Sequence, residues 1–399
     1  MTSSAGAGVW PAARVTGAQV QVLDRAASVP AALDGLTGPG DAYLSTKWLR
    51  VAEATADVSM RYLLHQRGGQ LGGALATALA TPQSPWLLGR TDSVLEFAAR
   101  DDLPGAAQCL AELTGGRAVP RTVEEVTSAL TDPQPDAPAT GALLPSLLCG
   151  GRHVSFSRAL TRADGEARQA VIGDLAERAE GVAAGLGARS AAFLYVEEQD
   201  ARLRAALAER GYLSCVSGLH AQLCLPDGGF AGYQAMLPRK RRQSMASERR
   251  KVAAAGIEIR REPLTTDLIA SLAELESALF AKHGGRWTTG QSVAVMTAIM
   301  AELGPEAFTF VARLDGAVCG FTLVVTHKGD WFVHRGGFDY QRVGDLPLYF
   351  ELTYNLVIES AAAAGARAVH HGMGALDTKR ARGFEVRTAY LYVKPLAGR

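Results

Sequence analysis

The chain has 399 residues, of which 48% are hydrophobic and 20% are charged, and its formal net charge is +1. This composition is typical of a globular protein and excludes a uniformly basic nucleic-acid-binding protein, so any contact with a polyanion must come from a local patch. The length predicts two domains, because a single hydrophobic core rarely extends beyond about 250 residues.

Targeting and cysteine patterns predict a cytoplasmic protein. No apolar run is long enough to cross a membrane, and the N-terminus lacks the basic start and apolar run of a signal peptide. The five cysteines are scattered without metal-ligand spacing. We therefore expect reduced thiols, no metal and no tightly bound cofactor. The sequence leaves the oligomeric state open.

The predicted elements run twice through a similar order, which predicts a loose N-terminus over 1–16 and domains over 17–226 and 227–399. In the first half the patterns predict a helix, a strand hairpin, a breaker-rich region and then alternating strands and helices. The expected helices are at 42–53, 166–186 and 201–210. The expected strands are at 62–66, 72–81, 143–149, 153–156, 190–196, 212–216 and 220–225, and the breaker-rich region is 82–142.

The second half begins with a basic helix and continues with the same alternation. The expected helices are at 235–255, 266–283 and 291–302, with a further helix capped by Asp345 and ended by Gly365. The expected strands are at 257–261, 308–314, 318–326, 331–336, 368–372 and 389–393. A hairpin followed by a crossover helix to a neighbouring strand predicts an α/β fold with mixed sheets flanked by helices.

The basic helix is the first candidate site. At 100° per residue, Arg239, Arg242, Arg249 and Arg250 share one face, and Met245 lies on another. Such a strip of guanidinium groups can bind the phosphates of a polyanion, although a solvated surface helix is the alternative interpretation. A second candidate is the turn at Gln341 and Gly344, which precedes a helix and can offer backbone N–H groups to a phosphate; a capped helix with nothing bound is equally compatible with it.

Polar residues follow the strand at 368–372. Lys379 and Arg382 are three residues apart, so they can hold one anionic group together, and Asp377 can act as a base or orient an amine. His370 and His371 are adjacent on a strand and must point to opposite faces, which argues against a shared metal. The alternative is a basic surface turn anchored in the core.

Aromatic and basic side chains form the last candidate group, and they suit an acyl or amino-acid moiety. A core role is the alternative for the aromatic members. The group consists of the loop His283, Gly284, Gly285, Arg286 and Trp287, the strand residues Trp331, His334 and Arg335, and Tyr349 on the following helix.

The segment LPRKRRQSMASERRKVAAAGI resembles the basic helix that opens the second domain of Fem-type (FemABX-like) proteins, which belong to the Gcn5-related N-acyltransferase (GNAT) superfamily. The segment from 348 to 390 is similar to the C-terminal block of the FemAB-like peptidoglycan biosynthesis/recognition acyltransferases, with FEL in a helix and then Lys-x-x-Arg-Gly-Phe-Glu. The similarity is good over about 230–395 and weaker over 40–225, where AYLSTKWL and ALAERGY fit.

The resemblance implies two tandem GNAT-like domains, with the site in the second, and transfer of an acyl or aminoacyl group to an amine. It places the family's phosphate-contacting lysine at Lys379, beside Arg382. CoA-dependent relatives carry Q/R-x-x-G-x-G/A before the long helix; Gln341 and Gly344 fit this pattern, but Leu346 replaces the last small residue and disfavours CoA. The long coiled-coil insertion of some Fem proteins is absent, which leaves room for a small-molecule acceptor.

We therefore expect an amide-forming aminoacyltransferase that uses aminoacyl-tRNA. Asp377, His370 or His371 would remove a proton, Lys379 and Arg382 would hold an anionic group, and backbone N–H groups near Arg335 would bind the oxyanion. In this hypothesis Lys379→Ala would abolish transfer and leave the fold intact. The alternatives are an acyl-CoA-dependent N-acyltransferase and a non-catalytic module that recognises a phosphorylated glycan or RNA.

Overall fold

Strands and helices alternate along the chain in the computed structural model, which describes residues 18–56, 58–116, 142–151, 156–282 and 287–396. The strands in chain order are β1 (Ala18–Leu23), β2 (Met60–Arg67), β3 (Gln70–Ala80), β4 (Ser146–Cys149), β5 (Leu160–Thr161), β6 (Ser190–Glu197), β7 (Leu213–Cys224), β8 (Glu258–Pro263), β9 (Ala307–Leu314), β10 (Ala317–His327), β11 (Asp330–Phe338), β12 (Ala368–Gly372) and β13 (Glu385–Pro395).

The helices fill the intervals between these strands. In chain order they are α1 (Thr46–Ala54), α2 (Thr91–Arg100), α3 (Ala106–Thr114), α4 (Gly165–Gly185), α5 (Ala201–Glu209), α6 (Gly229–Met236), α7 (Arg239–Ala254), α8 (Thr266–Lys282), α9 (Thr289–Leu303), α10 (Tyr340–Val343), α11 (Leu348–Phe350), α12 (Leu356–Ala363) and α13 (Leu376–Arg380).

The chain folds into two compact units that are not consecutive in sequence. Unit 1 comprises residues 1–37, 56–218 and 389–399, and unit 2 comprises 38–55 and 219–388. The sequence predicts consecutive domains that meet at 226/227, whereas the observed division falls within β7 and β13. Residues 38–55 and 389–399 therefore belong to the unit that is distant from them in sequence.

Unit 1 contains a mixed sheet in the order β1-β2-β3-β4-β6-β13, with β5 paired to β3. The β2–β3 hairpin turns at Gly68 and Gly69, whose φ angles of 54° and 77° suit a two-residue hairpin turn. Helix α4 covers this sheet with a small-residue face that includes Ala176, Ala179 and Ala183, each fully buried. This face allows the helix to approach the sheet closely.

Unit 2 has the sheet order β7-β12-β11-β10-β9-β8, and only the β11–β12 pair within it is parallel. Helices α8 and α9, together with residues 38–55, pack on one face through a core that includes Tyr43, Trp48 and Phe332. Leu348, Leu352 and Val357 pack on a second core cluster. The candidate residues on β11 and β12 therefore lie in a sheet that is packed by helices.

The helix after β11 differs from the prediction. Asp345 is not its cap: the helical stretch begins with α11 after Pro347, continues as a π-helical turn at Glu351–Asn355, and ends with α12. The side chain that caps a helix in this region is Asp339, which accepts a hydrogen bond from the N–H of Arg342 at the start of α10. A π-helical turn inside a helix is frequent at functional sites because it redirects side chains.

Three further segments also depart from the expected pattern. The predicted basic helix 235–255 is two helices, α6 and α7, which are separated at Leu237 and Pro238 because proline cannot continue a helix interior. The two closing strands expected at 212–216 and 220–225 are the single strand β7. The breaker-rich region contains α2 and α3, and the strand expected at 153–156 lies almost entirely outside the described residues.

Candidate active site

The central feature of unit 2 is its cleft, the gap in pairing between the parallel strands β11 and β12. Pairing of β11 with β12 covers only Asp330–Phe332 against Ala368–His370, whereas β11 continues to Phe338. Beyond Phe332, the edge of β11 that faces away from β10 is not paired with β12. Backbone N–H groups on a strand edge can donate to the carbonyl oxygen of a ligand, and the oxyanion position near Arg335 stays a prediction.

A β-bulge directs two of the predicted residues to one side of this sheet. Leu323 of β10 pairs with Arg335 and Val324 pairs with Val333, so His334 is the additional residue on β11. The Nδ1 atom of His334 lies 3.4 Å from the hydroxyl of Tyr43, which belongs to the core on the α8 side. Bulges commonly re-aim side chains beside active sites.

Arg335 is held by a buried carboxylate on the same side. Its guanidinium donates to Glu276 Oε1 at 2.6 Å, and Glu276 is only 2% exposed. The other oxygen of Glu276 accepts from Ser292 Oγ at 2.5 Å, and Ser292 accepts from the indole N–H of Trp287 at 2.9 Å. The structure therefore joins Trp287, Arg335 and His334 in one group, in which the charge of Arg335 is neutralised by Glu276.

The two adjacent histidines occupy opposite faces, as strand geometry requires. His370 stacks on Phe332 at 4.3 Å, and its Nε2 lies 2.8 Å from Asp330. Burial raises the pKa of Asp330, but hydrogen bonds from His370 and Arg367 outweigh that effect and lower the pKa below its ordinary value. His370 is therefore oriented by an ionised carboxylate.

His371 lies in an aromatic environment on the other face. It stacks on Tyr354 at 4.7 Å and contacts the edge of Phe384. Burial, assisted by the nearby charges of Lys379 and His370, holds the pKa of His371 well below its ordinary value, so its imidazole is neutral. Its Nε2 atom has no hydrogen-bond partner among the described residues.

Lys379 does not present its ammonium group to solvent. It is 3% exposed, and its Nζ donates to the carbonyl oxygens of His371, Gly372 and Met373 at 2.8, 3.1 and 2.8 Å. This corrects the expectation of a phosphate contact, because all three donors of the ammonium group are engaged at the end of β12. Lys379 clamps the backbone where β12 leaves the sheet.

Arg382 is also buried and paired, which corrects its expected role as an anion grip. Its guanidinium donates to both carboxylate oxygens of Glu248 at 3.1 and 3.2 Å and lies over the rings of Phe350 and Tyr354. Asp377, by contrast, is fully exposed and pairs with Arg380. Asp377, Lys379 and Arg382 thus do not converge on one ligand position.

The remaining aromatic candidates have packing roles. Trp331 is buried against Phe308, with ring centroids 5.1 Å apart, which confirms the core alternative. The hydroxyl of Tyr349 lies 3.2 Å from that of Tyr354, beside the buried His371. The expected loop residues His283, Gly284, Gly285 and Arg286 lie outside the described residues.

Helix α7 keeps most of its predicted basic strip at the surface. Arg239, Arg242 and Arg250 are exposed, as are the neighbouring Lys240 and Lys251. Within the described part of the chain, none of these five makes an ion pair with a carboxylate. Arg249 differs: it turns inward to Glu351 at 3.2 Å and Glu359 at 2.5 Å.

Four N–H groups of the turn around Gln341 and Gly344 are already bonded within the turn. The N–H groups of Arg342, Val343, Gly344 and Leu346 all bond to groups of the same turn. The carboxylate of Asp339 also caps this turn. An internally bonded turn with an acidic cap is an unfavourable site for pyrophosphate.

Unit 1 contains a similar parallel pair, but its gap is filled by the chain itself. Pairing of β4 with β6 ends at Leu148 and Ala192. Beyond that point the N–H of Ser157 donates to the carbonyl of Tyr195 at 2.8 Å, and the N–H of Tyr195 donates to Ser157 Oγ at 3.2 Å. The open cleft of unit 2 is therefore the better candidate site.

Sequence reasoning missed Glu248, Glu276 and Asn355, which hold the site's cations and the π-helical turn. A signal was present for two of them. Glu248 is the one acidic residue in the basic helix and lies three residues after buried Met245, and Glu276 lies four residues after buried Leu272. A carboxylate at core spacing on a helix is rarely buried unless it is paired.

Comparison with solved structures identifies the fold. FemX matches with a TM-score of 0.58 at 12% identity, over 91% of this chain and 95% of that chain. A tandem GNAT protein from the clavulanic acid biosynthesis pathway matches with a TM-score of 0.50 at 15% identity, over 94% of this chain and 98% of that chain. The expected α/β fold of tandem GNAT type is confirmed.

The family model FemAB_like, described as peptidoglycan biosynthesis/recognition, matches residues 154–393. The chain belongs to this family and has a GNAT fold. No curated protein sequence matches it. Over the described ranges, no helix combines the length and apolarity needed to span a membrane, and no group of three or more potential metal ligands is found.

Proposed function

We propose that this protein is an amide-forming N-acyltransferase that moves an aminoacyl group from aminoacyl-tRNA to the amine of a cell-wall precursor or another small molecule. The family supports acyl transfer, and its description supports a cell-wall acceptor. The observation that carries the choice of donor is the exposed face of α7, where Arg239, Arg242 and Arg250 lack carboxylate partners among the described residues.

The charge arrangement on α7 suits nucleic-acid phosphates. Each phosphate contact releases counterions, so binding weakens as salt rises, by a slope of roughly 0.7 to 0.9 per contact on logarithmic scales. The inward-facing acids do not cancel this surface: Glu248 is buried against Arg382, and Glu351 pairs with Arg249. The outer face therefore keeps a positive charge although the whole chain is nearly neutral.

The internal hydrogen bonds of the α10 turn disfavour CoA as the donor. A CoA pyrophosphate requires several backbone N–H groups aimed at one point. Here the N–H groups of Arg342, Val343 and Gly344 are bonded within the turn, and Asp339 places a carboxylate there. The larger side chain of Leu346 adds to this argument.

The chemistry follows from the cleft. The acceptor amine attacks the ester carbonyl carbon of the aminoacyl-tRNA, a C–N bond forms, and the C–O bond to the ribose breaks. The negative oxygen of the intermediate would be stabilised by N–H groups on the open edge of β11 near Arg335. One amine proton ends on the ribose oxygen, and His370 or His334 is the candidate to carry it. Asp377 is less suitable because it is exposed, and His371 is less suitable because it is buried.

The test is an assay of transfer from bulk tRNA charged with radiolabelled amino acids to a peptidoglycan precursor peptide and a panel of small amines. Acyl-CoAs are assayed in parallel. We expect labelled amide product from the charged tRNA. Turnover of an acyl-CoA instead, or tRNA binding without transfer to any acceptor, would refute the proposal.

Variants of α7 test the donor surface. Arg239→Gln, Arg242→Gln and Arg250→Gln combined should weaken tRNA binding at least tenfold and reduce the salt slope by about two to three units, because about three phosphate contacts are lost. The matched control is Arg260→Gln, which removes an exposed arginine of β8 that pairs with Glu258. An unchanged slope in the triple variant would move the tRNA contact elsewhere.

A further inference from the structure

Glu248 joins the basic helix to the segment that shapes the cleft. It lies on α7 with its side chain turned inward and accepts hydrogen bonds from Arg382 at 3.1 and 3.2 Å. Asn355 of the π-helical turn donates to the same carboxylate at 3.3 Å, and Ser244 donates at 3.3 Å. One side chain thus connects three elements of unit 2.

The connection continues from Arg382 to the cleft. Arg382 ends the turn that begins with α13, and Lys379 in α13 clamps the carbonyl groups of His371, Gly372 and Met373. Those carbonyl groups lie at the end of β12, beyond its last pairing with β11 at His370, where Gly372 still pairs with Ala221 of β7. A displacement of α7 would therefore move the residues that define one wall of the cleft.

Anchoring of α7 alone does not require such a network. Met245 and Val252 already bury apolar side chains on its inner face. A buried ion pair is weak evidence for net stability, because desolvation of both charges offsets their attraction, and its best-attested benefit is a fixed geometry. A single nitrogen of Arg382, Nη2, donates to both oxygens of Glu248, and together with the bond from Asn355 this contact holds the helix in place.

We propose that Glu248 is a positioning residue that couples α7 to the cleft, so that a donor bound on α7 meets a correctly placed β12 wall. This inference rests on the proposed function, since it assigns α7 to the donor. Glu248 does not touch the reacting atoms. Its effect on the reaction passes through Arg382 and the α13 turn.

The first experiment compares Glu248→Gln with the unchanged full-length protein. The Kd for bulk tRNA should stay within about twofold, because the exposed cations are untouched, whereas kcat should fall at least about tenfold, since small misplacements of reacting groups have effects of that size. The control is Glu262→Gln, which breaks the ion pair of Glu262 with Arg313 on the outer strands of the same unit. That variant should change neither quantity.

A second variant separates positioning from stability. Glu248→Gln leaves the charge of Arg382 buried without a counter-ion, which lowers Tm on its own. In Glu248→Gln combined with Arg382→Gln the buried charge is removed, and only Arg241, which lies 3.8 Å from Glu248 and is 27% exposed, loses a carboxylate partner. Tm should therefore largely recover, but kcat should stay reduced because the charged contact between positions 248 and 382 is not restored. If kcat recovers together with Tm, Glu248 is only structural and the inference is wrong.

The remaining outcomes are also decisive. Equal losses of tRNA affinity and kcat in Glu248→Gln would mean that Glu248 shapes the donor surface rather than coupling it to the cleft, and would overturn the inference alone. Absence of transfer by the unchanged protein would refute the proposed function and, with it, this inference.

Discussion

Lys379 combines burial with a complete set of hydrogen bonds, and this gives it a measurable pH signature. Burial lowers the pKa of Lys379 from its ordinary 10.5 to about 8. At pH values between about 8 and 10.5, the Lys379 side chain is protonated in the unfolded chain but largely deprotonated in the folded protein. The contribution of Lys379 to the free energy of unfolding therefore increases as pH rises from about 8 to 10.5.

Lys379→Met should remove this pH dependence. The difference in free energy of unfolding, unchanged protein minus variant, should grow by up to about 3 kcal/mol across that interval, at about 1.4 kcal/mol per pH unit. Urea unfolding at pH 7, 8, 9 and 10 measures it. Lys251→Met, at an exposed position of α7, is the control and should show no growth; a constant difference for Lys379→Met would contradict the lowered pKa.

The same contacts change the expectation for Lys379→Ala. Loss of the ammonium group removes a donor from the carbonyl oxygens of His371, Gly372 and Met373, so Lys379→Ala should destabilise the region around β12 as well as affect transfer. The sequence could identify Lys379 as important from its place in the Lys-x-x-Arg-Gly-Phe-Glu block. It could not distinguish a phosphate contact from a backbone clamp, because both require a lysine.

At the scale of elements, α8 approaches β11 so closely at Gly337 that a side chain at this position would not fit. A Cβ atom on Gly337 would lie 2.6 Å from the carbonyl carbon of Leu275 and 2.7 Å from the backbone nitrogen of Glu276. Both are helix backbone atoms that cannot move aside independently. Glycine at this position therefore sets the distance across which Glu276 reaches Arg335.

Gly337→Ala should destabilise the protein by about 1–3 kcal/mol, in the range of overpacked cores. It should also lower kcat, since α8 must shift and carry Glu276 away from Arg335. Thermal unfolding and the transfer assay measure both effects. Gly290→Ala on α9 is the control, because a Cβ there meets nothing closer than 3.9 Å and should leave stability unchanged or slightly raised; equal behaviour of the two variants would contradict the close approach.

Elements with strong local signals were predictable. The β9–β10 hairpin turns at Asp315 and Gly316, whose positive φ angles of 51° and 79° suit the two-residue hairpin turn that an Asp-Gly pair favours. The bulge at His334 was not predictable, because it depends on the register between two strands rather than on local composition. Nor was the π-helical turn at Glu351–Asn355, whose polar side chains meet Glu248 and Arg249 from a distant part of the chain.

At the scale of the molecule, the order of strands and helices along the sequence predicted the fold class, but the assignment of segments to units follows long-range packing. Residues 38–55 belong to unit 2 because Tyr43, Trp48 and Val51 are buried in its core against α8 and α9. Their partners lie more than 200 residues later in the sequence. No local pattern identifies such a pairing.

This interleaving predicts that residues 227–399 do not form a stable domain on their own. The fragment lacks Tyr43 and Trp48, which are 7% and 5% exposed in the full chain, and it lacks the part of β7 that pairs with β12. Loss of one buried aromatic side chain costs about 3–5 kcal/mol, and two such losses approach the 5–15 kcal/mol that stabilises a typical domain. Circular dichroism of the fragment should show no cooperative thermal transition, whereas the full chain should show one.

A fragment extended to residues 219–399 restores the β7 pairing but not the aromatic residues and should remain non-cooperative, because the missing core of 38–55 is the larger loss. A cooperative transition in either fragment would mean that the second half folds without the early segment, as consecutive domains would.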